Sequence, residues 1–463
     1  MNLRFLAIIA PIFIFCMPFI NNDFLYIDDF NRANSGVYAW AADGRPFANL
    51  IYWAFNFGGK AIIAHPYSIL ISLLGFAFVI YKICEEQKLG IAYCVGLSFL
   101  IVNPYFSQPM LYKYDSFVMV ASIAITALCF IKHDNRWLLF SVLFLTIGVG
   151  SYQTSLSLYI SLSLLELIYT RKLGENYSLA LIIKRALITI LVLVIYKVIL
   201  NFVDLSQYAK VHSVTIFNGS IGDFIQNLRS FIALLNSATS SFKVSSVILV
   251  LFIFSLLSIS IFFVRNRGKE YCLYYSAMLV AGSIISLFMC FGGISLILLH
   301  PVFEPRVMTA TYIGAFYLIA TMSLVLHEKF ALIIVGIFSL FAFYVSSAIS
   351  FAYKEQSKFN EEIYSGILKI TDANVIYSSH FIGKPKKSQF VELVESEIPM
   401  SNKINFFYFS NDLFSDTPLI YHGVKSFTKP NSYKAEALQC EKTNENAFIK
   451  ACVSGSDLTV NFK

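Results

Sequence analysis

Apolar residues run through this chain in long, nearly unbroken stretches, with short polar clusters between them. Crossing the roughly 30 Å hydrocarbon core of a bilayer takes about 20 apolar residues in a helix. Stretches approaching that length lie near 3–20, 64–82, 88–104, 115–131, 137–151, 155–170, 186–203, 244–264, 272–299, 307–326 and 330–351. The pattern predicts a mostly α-helical polytopic membrane protein, with about eleven transmembrane helices over residues 1–351. Two loops, 21–63 and 204–243, and the tail 352–463 interrupt it. The tail has ordinary soluble composition. There "ANVIYSSHF" and "KINFFYFS" have the content of strands, and "KFNEEIYSGILKI" that of a helix, so a small C-terminal α/β domain is expected. In the first loop, "GVYAWAADGRPFANLIYWAFNF" spaces Trp40, Phe47, Ile51 and Phe55 as a helix would, with a break near Gly44-Arg45-Pro46. One or two short amphipathic helices are expected, either in the interface plane or packed as ordinary loop helices.

Composition and charge then orient the chain. Of its 463 residues 57% are hydrophobic and 14% charged, which a soluble fold could not bury. The net charge of +7 does not point to nucleic acid, because the Lys and Arg residues sit in short clusters between apolar runs. "MNLR", "YKICEEQK", "KHDNR", "YTRKLGENYSLALIIKR", "RNRGK" and "HEK" are the expected cytoplasmic pieces, whereas "SYQTS" carries no Lys or Arg. The positive-inside rule thus places the N-terminus inside, and an odd number of spans places the tail outside. The start, "MNLRFLAIIAPIFIFCMPFI", has a signal-like basic end and apolar core but no small-residue cleavage site, and is read as a retained first span. Cys440 and Cys452 lie in the tail; outside the cell membrane they meet oxidising conditions and are expected to pair, the alternative being two buried thiols.

The unusual polar residues then collect on the outer side. They are Asp28, Asp29 and Arg32 in "YIDDFNR", then Arg45 later in the same loop, Lys113 and Asp115 in "YKYDS", Tyr152 and Gln153 in "SYQTS", and Glu304 and Arg306 in "HPVFEPR". Four loops thus carry acids, bases and amides to one face, where bundled spans would bring them together. Two adjacent carboxylates near a low-dielectric surface oppose each other's ionisation. One of them could serve as a general base, the pair could hold a divalent metal, or one could cap the next helix. The arginines suit phosphate oxygens, or equally headgroup anchoring and local ion pairs. Lys197 lies within a span near its outer end, as a functional ion or a snorkelling anchor; Glu166, near a cytoplasmic end, is expected to be solvated or paired. No Walker-type loop, HExxH, zinc-like Cys/His cluster or G-x-S-x-G elbow is present. An activated lipid, not a bound nucleotide, then fits as the energy source.

In order along the chain, "DDFNR", "WAADGRPF", "YKYDS", "SYQTSLSLY" and "EPRV" resemble the serotype-converting O-antigen glucosyltransferases of the Gtr type, over roughly residues 20 to 320. The resemblance implies a polytopic glycosyltransferase of the C-type membrane class in the bacterial inner membrane, with the C-terminal domain periplasmic. It implies a hexose, usually glucose, taken from a polyprenyl-phosphate donor and attached to lipid-linked O-antigen. An acidic residue of the first outer loop is the base such enzymes use, here Asp28 or Asp29. Arg45 and Arg306 then fall to phosphate binding, with Arg32, Lys113, Asp115, Tyr152, Gln153 and Glu304 as further substrate-binding candidates. No cofactor is required, although a divalent metal fits the paired acids, and the tail is a candidate holder of the acceptor. The rival classes are a flippase for a lipid-linked sugar, which should carry polar residues near the bilayer midplane, and an O-antigen polymerase, which should need no monosaccharide-phosphate donor.

Overall fold

The structure, a computed structural model, describes residues 3–215, 220–372, 374–383, 386–404, 417–428 and 440–463. Helix α1 (Leu3–Ile20) leads into an outer loop holding α2 (Asp28–Ser35) and α3 (Pro46–Phe55). Then follow α4 (Tyr67–Glu86), α5 (Ile91–Leu97), α6 (Ser107–Leu111), α7 (Asp115–Leu128), α8 (Asn135–Val149), α9 (Ser155–Tyr169) and α10 (Glu175–Leu200). A second loop carries α11 (Gln207–His212) and α12 (Ile221–Asn236), and α13 (Val244–Asn266), α14 (Cys272–Cys290), α15 (Thr311–Met322) and α16 (Glu328–Leu368) complete the bundle. Among the described residues seven helical segments are long and apolar enough to cross a membrane: α1, α4, Ile91–Leu111, Tyr177–Leu200, α13, α14 and α16. Helices α7, α8 and α9 are apolar but shorter, at 14, 15 and 15 residues.

Two features of the bundle position the outer face. The segment Ile91–Leu111 is not one helix. Pro104 has no N–H to continue the ladder, and Asn103 instead accepts from the Phe106 N–H at 2.9 Å. The irregular backbone is tolerated because the segment is enclosed by other helices. It delivers Gln108 and Tyr112 to the outer end. Elsewhere hydroxyls knit neighbouring helices: Ser122 meets Ser155 at 2.7 Å, and Ser255 meets Ser283 at 2.9 Å and Thr321 at 2.6 Å.

At the end of α9 remote from Tyr152, Glu166 is buried against Arg185 of α10, with Oε2–Nε at 2.7 Å and Oε1–Nη2 at 2.9 Å. His133 Nδ1 lies 2.9 Å from Glu166 Oε1, while Arg185 also donates to Cys129 O and Ser141 Oγ. Glu166 is therefore paired, and one ion pair with its hydrogen bonds ties together α8, α9, α10 and the C-terminal end of α7.

Helix α16 has 41 residues and so extends roughly 60 Å, about twice the hydrocarbon thickness. It crosses residue 351 without a break, and "KFNEEIYSGILKI" continues it rather than forming a helix of its own. Its far end buries Ile363, Tyr364 and Ile367 against the core of a small C-terminal domain. That domain contains β1 (Ile376–Ile382), α19 (Thr417–Tyr421), β2 (Lys425–Thr428), β3 (Lys442–Glu445), β4 (Ile449–Ser454) and β5 (Asp457–Phe462), whereas α17 (Gln389–Glu397) and α18 (Ser401–Ile404), between β1 and α19, bury Val391, Val394 and Ile404 in the bundle core. The sheet order is β2-β1-β5-β4-β3. Strand β1 is parallel to β2 and to β5, with Ser379 opposite Leu458, and the β3-β4-β5 run is antiparallel. Cys440 and Cys452 are joined by a disulfide that closes the chain ahead of β3 onto β4. Of "KINFFYFS", Lys403 and Ile404 end α18, and residues 405–410 lie outside the described residues.

Removing one member of the Glu166–Arg185 pair strands a buried charge, a loss of about 3–5 kcal/mol. Thermal unfolding in detergent should therefore fall further for Arg185→Leu than for the double variant Glu166→Leu/Arg185→Leu. Equal losses would show that the pair is solvated.

Candidate functional site

The first outer loop folds down onto the N-terminus of α7. Ile27, at φ 43°, takes a backbone region that β-branched residues rarely occupy. Helix α2 follows at once and is closed by Gly36 in the left-handed conformation. This geometry separates the two adjacent acids. Asp29 is fully buried, and its carboxylate accepts three backbone N–H groups: Lys113 at 2.7 Å, and Tyr114 and Tyr26 at 3.2 Å each. Burial pushes its pKa up to about 7, against the lowering effect of those bonds. Asp28 keeps a side chain 40% exposed, with a long 4.0 Å ion pair to Arg32 one helical turn on. Its pKa is also raised, first by partial burial, while Arg32, Arg306 and Arg45 pull it down and Asp115 pushes it up. The charges of three other segments therefore reach Asp28.

Asp115 is the hub. One oxygen takes Arg32 Nη1 at 2.9 Å and Trp40 Nε1 at 2.8 Å, and the other takes Arg45 Nη1 at 3.5 Å. The Arg32 guanidinium lies 4.5 Å from the Trp40 ring centroid. Burial works against the Arg32 charge, but Asp115, Asp28 and Asp29 outweigh it and hold its pKa above the ordinary value. Arg45 also meets Asp43 at 3.4 Å. The turn before it is held from the bundle, by Tyr196 OH on Gly44 O at 2.5 Å and by Gln153 Nε2 on Asp43 O at 3.2 Å.

Arg306 approaches from the last outer loop. Its Nε pairs with Glu304 Oε2 at 2.9 Å, its Nη1 donates to Tyr112 OH at 3.1 Å, and its backbone N–H donates to Gln108 Oε1 at 3.1 Å. Tyr152 OH donates to Arg306 O at 2.7 Å, and Gln108 Nε2 to Glu304 Oε2 at 3.0 Å. With its side chain 22% exposed, Arg306 is the most accessible of the three arginines.

The structure thus joins Arg32, Arg45 and Asp115 in one ion-pair cluster, with Asp28 on Arg32. The charge of Arg306 also reaches Asp28, while Gln153 braces the Arg45 turn and Tyr152 and Glu304 brace Arg306. Lys113 turns the other way. Its amine is buried on Phe19 O, Asn22 O and His65 Nε2, where burial pushes its pKa down to about 8. Lys197 is exposed on the bundle surface, away from this network. Trp40 is not on a helix: α3 starts at Pro46, and Trp40 lies buried in the preceding turn, held by its bond to Asp115. Its spacing with Phe47, Ile51 and Phe55 instead predicts a helical position, and neither Gln108 nor Tyr196 is among the residues the sequence singles out. A Gln inside the apolar "SQPML" is the signal that could have found the former. Among the described residues no three His, Cys, Asp or Glu side chains converge as metal ligands.

A polytopic helical membrane protein with a largely buried ion-pair cluster under its first long loop is the class that this geometry defines. The sequence profile of the glucosyl transferase GtrII family matches residues 17–319, and the chain belongs to that family. The membership supports a glycosyltransferase-type role. The chain is also similar to a Salmonella phage P22 protein described as "Uncharacterized 55.3 kDa protein in gtrB 5'region", with 30% identity over 116 residues. That match covers 24% of this chain and 24% of the phage protein. No solved structure matches the chain significantly.

The two acids should respond differently to the same substitution. Asp29→Asn turns an amide donor onto at least one of three inward N–H groups, a buried mismatch worth about 1–3 kcal/mol. Asp28→Asn removes only a long, half-exposed contact. A lower melting temperature for Asp29→Asn alone is expected. Equal melting temperatures would assign both acids the same surroundings.

Proposed function

We propose that the protein transfers a hexose, most simply glucose, from a polyprenyl-phosphate carrier to lipid-linked O-antigen at the outer, periplasmic face of the bacterial inner membrane. The tail is then periplasmic, the N-terminus cytoplasmic, and the seven long apolar segments, together with α7, α8, α9 and α15, form the membrane bundle. The observation that carries the reading is the asymmetry of the acid pair. Asp29 is spent on three backbone N–H groups, whereas Asp28 presents a half-exposed carboxylate within the field of three arginines.

Asp28 is the base in this reading. It takes the proton of the acceptor hydroxyl as that oxygen attacks C1 of the donor sugar. The C1–O bond to phosphate breaks, and its electron pair leaves with the polyprenyl phosphate. Base and leaving group work from opposite faces of the sugar, so the anomeric configuration inverts, by analogy with inverting glycosidases. Arg306 and Arg45 meet the charge growing on the departing phosphate, and preorganised donors of this kind are worth most where water is excluded. Their own acids, Glu304, Asp43 and Asp115, hold the guanidinium groups in place before the substrate arrives. Arg32 acts through Asp115 and Asp28 and not on substrate. The arginines neutralise the leaving phosphate, and a divalent ion is not required.

The test is transfer by the purified protein in lipid, from polyprenyl-phosphate glucose to O-antigen. Loss of a general base lowers kcat by about 10²–10⁴-fold. Asp28→Asn should fall in that range while keeping its melting temperature, and full activity in that variant would sink the assignment. No transfer with any hexose donor, with labelled carrier lipid crossing the bilayer instead, would favour a flippase.

The pH profile supplies a second check. Asp28 must be ionised to act, and its pKa is raised, so activity is retained at high pH and lost as pH falls through that raised value. The acid limb of kcat/KM should therefore lie above the ordinary Asp value of about 3.9. An acid limb at or below that value would exclude Asp28 as the titrating group.

A further inference from the structure

A cavity of about 140 Å³ opens beside the site, between the start of the first outer loop, the outer third of α16 and the short helix α19. Its lining combines the carboxylates of Asp23 and Glu361 and the amide of Asn360 with the rings of Phe30, Tyr353 and Tyr421. None of the described residues lining it is Lys, Arg or His. Such a cavity repels phosphate. Flat rings beside converging carboxylate and amide groups suit a neutral polyhydroxy ring, whose C–H face packs on aromatic carbon while its hydroxyls donate to the acids. The volume is on the scale of one sugar unit.

Its position relative to the arginines gives it a role. Tyr112, which holds Arg306, packs edge-on against Tyr26 at 4.7 Å, and Tyr26 against Tyr353 of the cavity wall at 5.3 Å. Phe30 belongs to the same helix as Asp28 and meets Tyr421 at 5.4 Å. The cavity is thus separated from the Arg306 side by a wall of tyrosines and joined to Asp28 through α2. Tyr353 is itself tied to the loop by its OH on Leu25 O at 2.5 Å.

We infer that this cavity is the acceptor-sugar subsite: it binds one neutral pyranose of the acceptor glycan and fixes which hydroxyl reaches Asp28. The inference rests on the transferase reading above and adds the residues that select the acceptor, Glu361, Asn360 and Tyr421. Tyr421 is exposed and Glu361 has only a long 3.9 Å contact to His422, so both can be changed without disturbing the core.

The experiment uses the full-length protein in nanodiscs and a delipidated O-antigen oligosaccharide as probe, read by saturation-transfer NMR, with transfer kinetics run alongside. Losing a charged hydrogen bond or a stacking ring costs about ten-fold in affinity. Tyr421→Ala and Glu361→Gln should weaken the NMR signal and raise KM for the acceptor by about that factor. KM for polyprenyl-phosphate glucose and kcat at saturating acceptor should stay within about two-fold. Unchanged oligosaccharide binding in both variants, or a rise in donor KM instead, overturns the subsite. Oligosaccharide binding that is lost in the variants, with no transfer by the wild type from any hexose donor, keeps the subsite and overturns the transferase reading.

Discussion

A buried carboxylate has to be paired, and in this protein that requirement falls on Asp115. It stands at the first position of α7, where solvent is excluded, and an unpaired charge there would cost several kcal/mol. Its partners come from elsewhere in the chain: Arg32 from α2, and Trp40 and Arg45 from the turn before α3. Satisfying one acid therefore folds the whole first outer loop over the bundle. Gln153 and Tyr196 hold the same turn from below, and Asp29 pins the loop a second time on the N–H groups of Lys113 and Tyr114. What remains uncovered is the half-exposed carboxylate of Asp28 and the edge of Arg306.

The chemistry follows from this division of labour. Two neighbouring carboxylates in one low-dielectric opening compete for ionisation. Here the competition is relieved because the backbone engages Asp29, leaving Asp28 under the influence of arginines that are already paired. Those ion pairs serve orientation more than stability, since a buried pair repays little beyond its own desolvation. A preorganised cluster is what a reaction that expels a phosphate needs, because the donors do not have to reorganise as charge develops.

Helix α16 links this site to the C-terminal domain. It rises from the bundle, where Ser350 donates to Pro18 O, and ends in the core of the sheet domain. Between those ends it forms one wall of the cavity beside Asp28. A single rigid element therefore sets the distance between the membrane-level site and the tail, and the family profile, which ends at residue 319, stops short of it.

The sequence by itself determined the membrane architecture. Runs of about 20 apolar residues can be satisfied only by helices in lipid, whatever their partners. It also showed that acids, arginines and amides gather in four loops, and the order of those motifs pointed to the family. The tertiary structure alone decided which partners each of these residues meets. Asp28 and Asp29 are identical and adjacent in sequence, and only the fold reveals that the N–H groups of distant Lys113 and Tyr114, with that of nearby Tyr26, claim one of them. Lys113 read as an outer cation, yet packing drove its amine into the end of α1. Trp40 shares helical spacing with Phe47, yet its indole N–H is drawn to Asp115 from a turn. Gln108 and Tyr112 enter the site because Pro104 breaks a helix and redirects the chain. The reason is common to all of these. Local pattern reports transfer to lipid, a property of each segment, whereas the fate of a buried polar group is set by partners tens or hundreds of residues away.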